Sequence, residues 1–528
     1  MRIKGSNQHN FAKAPQALLQ RSKFNRSFSI KTTFDAGKIY PLFWDEILPG
    51  DTYKCDLKAF CRFSTLLFPL MDNVWCDVFY FFIPNRLVWD NWVRLCGEQD
   101  NPSDTTNYLV PNMVAPVGGY AEGSIYDYFG LPTKVAGFSH ISLPLRSYNL
   151  TYNRWFRDEN LINSVPVNKT DSIDPSTDYI LRPRGKRKDY FTSGLPWPQK
   201  NNTGIPITVP LGSSAPVVTN NLNPTFTGGS GITNSLLAFT AAGSNPNVQI
   251  IGTATGAGNL VFGNQSGLIA DLANATGATI NSMRQAFQIQ RMYERDARGG
   301  TRYQEVLVSH FKVHAPDQRL QYPEFLHQSS HYVNITAIPQ SAPTGAYANT
   351  PQGNLAAIGT LAINDTGFTR SFVEHGILLC LISARADLTY QQGLNRMWSR
   401  STRFDYFWPA LAHLGEQAVL NKEIMAQGTA ADNQVFAYQE RYAEYRYYPG
   451  QITGLFRTNA TGTLDSWHLA QSFATLPVLG ATFINEDVPT SRVKAVPTEP
   501  DFLLDGRVDM ICAREMPMYG VPGMIDHF

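Results

Sequence analysis

Two neighbouring segments with different hydrophobic patterns constrain the fold of this chain most strongly. In the first, YKCDLKAFCRF from Tyr53 to Phe63, apolar residues alternate with mostly polar ones, which is typical of a β-strand buried on one face. The second, VWCDVFYFFI from Val74 to Ile83, is aromatic and nearly continuous until Pro84. That pattern is typical of a strand covered on both faces. The chain must therefore contain a β-sheet with a further packed layer.

Further strand candidates lie near the other end of the chain, at residues 376–384, 434–447 and 507–516. Turn-forming residues are plentiful, with 33 prolines and 40 glycines. Core strands that come from both ends, joined by long connections, suit a Greek-key or jelly-roll barrel. We therefore predict a mainly β fold, an eight-stranded antiparallel jelly-roll barrel with long loop insertions. We expect only a few helices, the clearest at about residues 280–298 and another at 409–425.

Residues 201–283 differ in composition from the rest of the chain. These 83 residues contain one charged side chain, Asp271, and twelve glycines. Such a composition is compatible with a disordered linker. Apolar clusters such as SLLAF and NLVF favour an ordered or semi-ordered surface insertion instead.

These features predict four successive regions. Residues 1–50 are a basic amino-terminal arm and lead-in, and residues 51–200 are the first part of the barrel core with insertions. Residues 201–283 are the low-charge surface insertion, and residues 284–528 complete the core with helical insertions and a carboxy-terminal tail. The arm has seven basic residues and no acidic one before Asp35, and no apolar core of an export signal.

The composition points to a protein with large subunit contacts. Charged residues make up only 16% of the chain, which leaves less charged surface than a free monomer usually has. No apolar run approaches the roughly 18 residues of a membrane span, so we expect no membrane insertion. The six cysteines lack disulfide or zinc-site spacing and are expected to be small buried residues in a reducing compartment: Cys55, Cys61, Cys76, Cys96, Cys380 and Cys512.

Signatures of catalysis or of metal binding are missing. The sequence has no phosphate-binding loop, dinucleotide-binding turn, nucleophile elbow or H-E-x-x-H motif. His413 and Glu416 have a spacing that could place them on one helical face, which favours an ordinary surface pair over a metal site. His310, His314, His327 and His331 fall in a segment with Pro316 and Pro323, which favours surface histidines in a loop. We therefore predict no enzyme activity, metal or cofactor.

Two basic clusters are candidates for contact with nucleic acid. In LRPRGKRKDY and the phenylalanine that follows it, five cations precede Tyr190 and Phe191. This combination suits phosphates and unpaired bases. A salt-bridged loop at a subunit contact explains the same run equally well. With the arm, the candidate residues are Lys13, Arg21, Lys23, Arg26, Arg182, Arg184, Lys186, Arg187 and Lys188.

Several long blocks resemble one protein family, in the family's order. They begin with KTTFDAGKIYPLFWDEILPGDTY and FPLMDNVWCDVFYFFIPNRLVWDNW and continue with LPLRSYNLTYNRWFRDEN, RGKRKDYFTSGLPWPQK and RQAFQIQRMYERDARGGTRY. The last blocks are RADLTYQQGLNRMWSRSTRFDYFWPALAHLGEQAVLNKEI, QERYAEYRYYPGQITGLFR and MPMYGVPGMIDHF. Together they cover nearly the whole chain, which resembles the major capsid proteins of gokushoviruses, small single-stranded DNA phages of the Microviridae.

The resemblance implies a viral jelly roll that assembles in many copies into an icosahedral T=1 shell around circular single-stranded DNA. It implies that residues 201–283 project from the shell, at threefold axes, and contact a host cell-surface receptor. The other partners it implies are a small internal DNA-binding protein, a scaffolding protein and a pilot protein of the same phage. The chain would be located in the virion and assembled in the host bacterial cytoplasm.

Two other functions compete with this interpretation. A sequence-independent protein that coats single-stranded DNA is compatible with the basic clusters and aromatic residues, and it would form filaments instead of closed particles. A β-sandwich enzyme acting on carbohydrates would need an export signal and a close carboxylate pair in a cleft. The aromatic segments RFDYFWPAL and RYAEYRYY are candidates for interface anchors or for core filling, and the sequence favours neither.

Overall fold

The computed structural model describes residues 21–198, 200, 280–314, 318–341 and 353–519, and six short strands between residues 217 and 270. Its contacts divide the chain into two units. The larger unit comprises Met1–Pro198 and Gly299–Phe528, and the smaller unit comprises Gln199–Arg298.

Ten strands build two large sheets in the larger unit. In chain order they are β1 (Arg21–Asn25), β2 (Phe28–Phe34), β3 (Tyr40–Ile47), β4 (Thr52–Phe63), β5 (Val74–Pro84), β6 (Glu324–Tyr332), β7 (Asn334–Pro339), β8 (Leu355–Ser371), β9 (Gly376–Ala386) and β10 (Phe502–Glu515). The first sheet has the order β7-β8-β4-β10, with β1 and β2 both paired to β10, and the second has the order β6-β5-β9-β3. All pairings are antiparallel, so the predicted mainly β, antiparallel fold is confirmed.

Strand β4 lies at the centre of the first sheet and is buried on one face. Leu57 and its alternating neighbours from Tyr53 to Phe63 lie in the main hydrophobic core, whereas Lys54, Lys58 and Arg62 are exposed. The period of two in the sequence therefore sorts apolar side chains inward. The predicted half-buried strand is confirmed.

Strand β5 is buried on both faces, which explains its continuous apolar sequence. Val78, Tyr80 and Phe82 face the main core between the two sheets. Phe79 and Phe81 belong to a second core. The prediction that a further layer must cover this strand is confirmed.

The chain between β5 and β6 supplies that second layer. Its helix α1 (Leu143–Thr151) is buried at every position and contributes Leu143, Leu145 and Tyr148 to the second core. Strands Asn112–Val114 and Ser139–Ile141 pair in the same region. The shorter helices of the larger unit are Trp92–Leu95, Ile125–Tyr128, Tyr303–Val306, Gln318–Gln321, Asn421–Ile424 and Ala481–Ile484.

The smaller unit contains short antiparallel strands and one long helix. Asn247–Ile250, Ile232–Thr240, Thr225–Gly228 and Val261–Phe262 form one sheet in that order, and Val217–Thr219 pairs with Leu268–Ala270. Helix α2 (Ile280–Gly299) follows, which confirms the helix predicted at 280–298. An ordered surface insertion at residues 201–283 requires strand pairing of this kind.

The helix predicted at residues 409–425 is wrong. Pro409–Leu411 is a single 3-10 turn, and Gly415 has a φ of 107°, a conformation that interrupts a right-handed helix. The next residues, Glu416–Leu420, form a strand paired with Val435–Glu440. His413 and Glu416 therefore do not share a helical face.

Three further sequence predictions are only partly correct. Strands at 376–384 and 507–516 are confirmed within β9 and β10, but the strand at 434–447 ends at Glu440. His327 and His331 lie on β6 and not in a loop, because the strand starts directly after Pro323. Five cysteines are buried as predicted, whereas Cys96 is exposed.

We predict that Leu57→Ala lowers the free energy of unfolding by about 2–5 kcal/mol, because it leaves a cavity in the main core. The decrease should appear as a lower midpoint of thermal unfolding of the purified chain. Lys58→Ala is the matched control, since the neighbouring side chain is exposed on the other face of the same strand. Equal effects of the two substitutions would contradict the assigned faces of β4.

Candidate subunit and nucleic-acid contact surfaces

The basic segment Arg182–Lys188 is held in an extended path by two neighbouring segments. Arg184 N–H donates to Gly37 O at 2.8 Å, and Ile39 N–H donates to Arg182 O at 3.0 Å. On the other side, Lys186 N–H donates to Ile484 O at 2.8 Å, and Glu486 N–H donates to Arg184 O at 2.7 Å. The backbone of this run is therefore fixed within the subunit.

Arg184 and Lys186 point into the protein, and each is only 7% exposed. Arg184 Nη1 lies 2.6 Å from Asp77 Oδ2, and Arg385 approaches the same carboxylate at 3.0 Å. Lys186 Nζ donates to Gln471 Oε1 at 2.9 Å and lies 4.4 Å from the ring centre of Phe483. Arg184 therefore has a carboxylate partner inside the subunit, whereas Lys186 contacts a neutral amide and an aromatic ring.

The other three cations of the segment also have partners. Arg187 pairs with Asp387 at 3.1 Å, and Lys188 pairs with Asp158. Arg182 Nη2 donates to Asp178 O at 2.8 Å. Arg187 and Lys188 keep substantial exposure, 40% and 58% of their side chains, so an outside phosphate can reach both.

Burial changes the proton affinities around Lys186. Desolvation lowers the pKa of Lys186 to about 8 and raises that of Glu486 to about 7, although nearby Lys186 and Arg184 oppose the rise. Desolvation, together with repulsion by Arg184, lowers the pKa of Arg385 to about 10. Burial therefore disfavours the charged forms of Lys186, Glu486 and Arg385, and repulsion by Arg184 adds to the effect for Arg385.

An open cavity of about 440 Å³ lies beside this segment; we call it the basic–aromatic cavity. Among the described residues, its cations are Arg157, Arg184, Lys186, Lys188 and Arg385, and its one lining carboxylate is Asp158. Its aromatic lining residues are Phe79, Phe81, Trp155, Phe156 and Phe325.

Several of these lining residues were not among the predicted site residues. Trp155 and Arg157 precede the basic run by some thirty residues, and Arg385 follows it by about two hundred. No spacing in the sequence links them. Pairing of β5 with β6 and β9 positions Arg385 near the strand aromatics, whereas Trp155 reaches Phe81 from the helical turn Tyr152–Phe156.

The predicted basic residues of the amino-terminal region have separate environments. Arg21, Lys23 and Arg26 lie on or next to β1 of the first sheet, and Lys13 lies outside the described residues. Arg26 forms a two-point ion pair with Asp45, at 2.5 and 2.8 Å. Arg21 donates to Gly50 O at 2.6 Å, whereas Lys23 is exposed on β1.

A second surface, which we call the aromatic surface, lies on the connection between β9 and β10. Trp398 is 77% exposed and Phe404 63%, and Tyr406, Phe407 and Trp408 are also exposed. The Arg403 guanidinium lies 4.5 Å from the ring centre of Trp408. In the second aromatic segment, Tyr442 is buried but Tyr445 and Tyr448 are exposed. For RFDYFWPAL, the structure therefore favours an interface role over core filling.

Metal-binding and membrane-spanning features are both missing from the described part of the chain. It contains no group of three or more His, Cys, Asp or Glu side chains arranged to hold a metal ion. None of its helices combines the length and apolar character needed to cross a bilayer.

Comparison with known proteins identifies the family. A model of the family described as capsid protein (F protein) matches residues 12–524. Capsid protein VP1 of Bdellovibrio phage phiMH2K is 48% identical over 99% of both chains, and that of Chlamydia phage 1 is 44% identical over 98% of both. Capsid protein VP1 of Spiroplasma virus 4 is 35% identical over 98% of this chain and 97% of its own length. The predicted resemblance is confirmed: the chain belongs to the phage capsid protein (F protein) family, and it is a structural protein of the virion, not an enzyme.

Proposed function

We propose that this capsid protein assembles into a closed icosahedral T=1 shell that encloses circular single-stranded DNA. The observation that carries the proposal is the match to capsid proteins along essentially the whole chain. The chain would assemble in the host bacterial cytoplasm, helped by a scaffolding protein, a small internal DNA-binding protein and a pilot protein.

We further propose that the larger unit is an eight-stranded viral jelly roll. Strands β1 and β2 pair with successive parts of β10 and act as one interrupted strand. The pairings are then nested around one centre: β5 with β6, β4 with β8, β3 with β9 and β1/β2 with β10. Nested antiparallel pairs distributed over two facing sheets are the topology of a jelly roll, and β7 is an additional edge strand.

The aromatic surface is our candidate for a contact between copies in the shell. Trp, Tyr and Arg dominate the energetics of protein interfaces, and this surface presents all three. Aromatic groups of this size are costly to leave in water. A second copy of the chain would cover them at the many repeated contacts of a closed shell.

The smaller unit is our candidate for the surface projection. Residues 201–283 contain a single charge and sit between blocks that match the family, so an insertion there leaves the two large sheets intact. We propose that this unit projects at the threefold axes of the shell and contacts the host receptor.

Contact of DNA with the nine predicted basic residues also stays a proposal. The geometry favours Lys23 and Lys188, which are exposed, over Arg184 and Lys186, which are buried. Arg26 and Arg187 are alike, since each pairs with an aspartate and keeps 38% and 40% of its side chain exposed, respectively. Lys13, Arg21 and Arg182 are the other candidates.

Negative-stain microscopy of the chain, expressed with and without its neighbouring phage genes and treated with nuclease, tests the assembly proposal. We expect closed, uniform particles with nuclease-protected DNA when all the genes are present. Filaments that form only on DNA would instead support the competing function, a protein that coats single strands.

We predict that the double substitution Trp398→Ser and Phe404→Ser reduces the yield of particles at least tenfold. Each hot-spot side chain contributes about 2 kcal/mol or more to a contact, and a shell repeats the contact many times. Sedimentation should show free subunits, and thermal unfolding of these subunits should have an unchanged midpoint. The control is Val117→Ser, since Val117 is a fully exposed apolar residue elsewhere. If the double variant and this control gave equal particle yields, the aromatic surface would be excluded as an interface.

Replacing residues 201–283 with a short Gly/Ser linker should leave shell assembly intact and abolish adsorption to the host. The expected particles lack surface knobs in micrographs, and adsorption is measured as loss of free particles on mixing with host cells. Knobless particles that still adsorb normally would contradict the receptor proposal.

A further inference from the structure

The walls of the basic–aromatic cavity are built on the outer face of the second sheet. Phe81 on β5 and Phe325 on β6 have ring centres 5.8 Å apart. Trp155, from the helical turn Tyr152–Phe156 that follows α1, lies 5.7 Å from Phe81 and 5.6 Å from Phe325. Trp155 is 46% exposed and Phe325 is 40% exposed, so flat aromatic faces remain open to a ligand.

The orientation of these aromatic groups is fixed by the surrounding structure. Trp155 Nε1 donates to Pro323 O at 2.9 Å, which holds the indole beside β6. Phe156 packs against Phe79 and Phe81 at 5.3 and 6.0 Å between ring centres. A rigid aromatic platform loses little conformational freedom when a ring stacks on it.

Cations surround this platform in excess. Five basic side chains line the cavity against a single lining carboxylate, Asp158. Asp77 lies behind the wall and pairs with Arg184 and Arg385, and Asp158 pairs with Lys188. Basic side chains therefore outnumber carboxylates in the described part of the lining.

Two guanidinium groups in the wall also have unused donors. The Nε atoms of Arg157 and Arg385 are buried without a hydrogen-bond partner among the described residues. Repulsion by Arg302, in addition to desolvation, lowers the pKa of Arg157. These Nε atoms are shielded from solvent, so an anion in the cavity would act on the two guanidinium groups through its charge and would offset the repulsion on Arg157.

We propose that the basic–aromatic cavity binds a nucleotide of single-stranded DNA, with a base stacked on Trp155 and Phe325 and a phosphate held by Arg157 and Lys188. The inference rests on the proposed packaging function and names a site for it. Stacking combined with phosphate contact is how proteins bind single strands without sequence preference. A volume of about 440 Å³ is within the range of small-molecule sites, about 300–1,000 Å³.

An acidic segment of another protein is the main competing ligand, since it would also satisfy the cations. It would not use the open faces of Trp155 and Phe325, which favour a planar base. The two ligands therefore differ in their dependence on the aromatic wall.

Fluorescence anisotropy of a labelled ten-nucleotide oligo(dT), titrated with the purified full-length chain, tests the site. We expect Trp155→Leu to raise the Kd about tenfold, the order of effect of losing one stacked base, and Lys188→Gln to raise the Kd because a phosphate contact is lost. Lys58→Gln is the matched control for charge, because Lys58 is 60% exposed and paired with Asp509, much as Lys188 is 58% exposed and paired with Asp158. Phe60→Leu is the control for an exposed aromatic side chain outside the cavity.

Phe325→Leu provides a second test of the aromatic wall if Trp155→Leu fails to fold. Wild-type affinity in the folded cavity variants would overturn the inference. It would also be overturned if labelled oligoglutamate bound more tightly than oligo(dT) and its affinity did not depend on Trp155 or Phe325. Nuclease-protected DNA in assembled particles is measured separately. If particles protect DNA but all variants bind oligo(dT) with the same affinity, the cavity site is refuted and the packaging function stands. Particles without DNA would refute the packaging function itself.

Discussion

Burial of both faces of the second sheet is the constraint on which the rest of the structure depends. Strands β5 and β9 carry apolar side chains on both sides, so neither face can be left in water. The first sheet covers the inner face, and the chain between β5 and β6 covers the outer face. The long insertion is therefore part of the core architecture and not an ornament on a finished barrel.

The outer layer is held by buried charges as well as by apolar contacts. Arg146 on α1 and Asp174 form a fully buried pair, with Nε–Oδ2 and Nη2–Oδ1 distances of 2.7 and 2.9 Å. Tyr179 also donates to this carboxylate at 2.8 Å. Such a pair adds little net stability, but losing one member costs about 3–5 kcal/mol because a charge is left buried and unpaired. The pair consequently favours one arrangement of the insertion over its alternatives.

Local patterns predicted the parts of the fold that local physics controls. The alternation in β4, the continuous apolar run of β5 and the spacing of α2 all reflect burial along one element. The helix expected at 409–425 failed because strand pairing with Val435–Glu440 and the left-handed Gly415 outweigh helical spacing. Tertiary pairing of that kind leaves no mark in a short window of sequence.

The candidate site was predictable only in part, for the same reason. The run from Arg182 to Lys188 was visible as a basic cluster, but its partners Asp77, Asp158 and Asp387 come from three distant segments. The sequence therefore could not distinguish cations that are neutralised inside the subunit from those that remain accessible. The aromatic wall that accompanies them is likewise assembled by sheet pairing.

An icosahedral reconstruction of nuclease-treated particles by electron cryomicroscopy tests the central claim, a shell built from this two-sheet subunit around DNA, most directly. The account predicts a closed shell in which the aromatic surface is buried between copies and the basic–aromatic cavity opens toward the packaged DNA. A helical filament wound on DNA, or a closed shell with the aromatic surface exposed and the cavity open to the exterior, would contradict it.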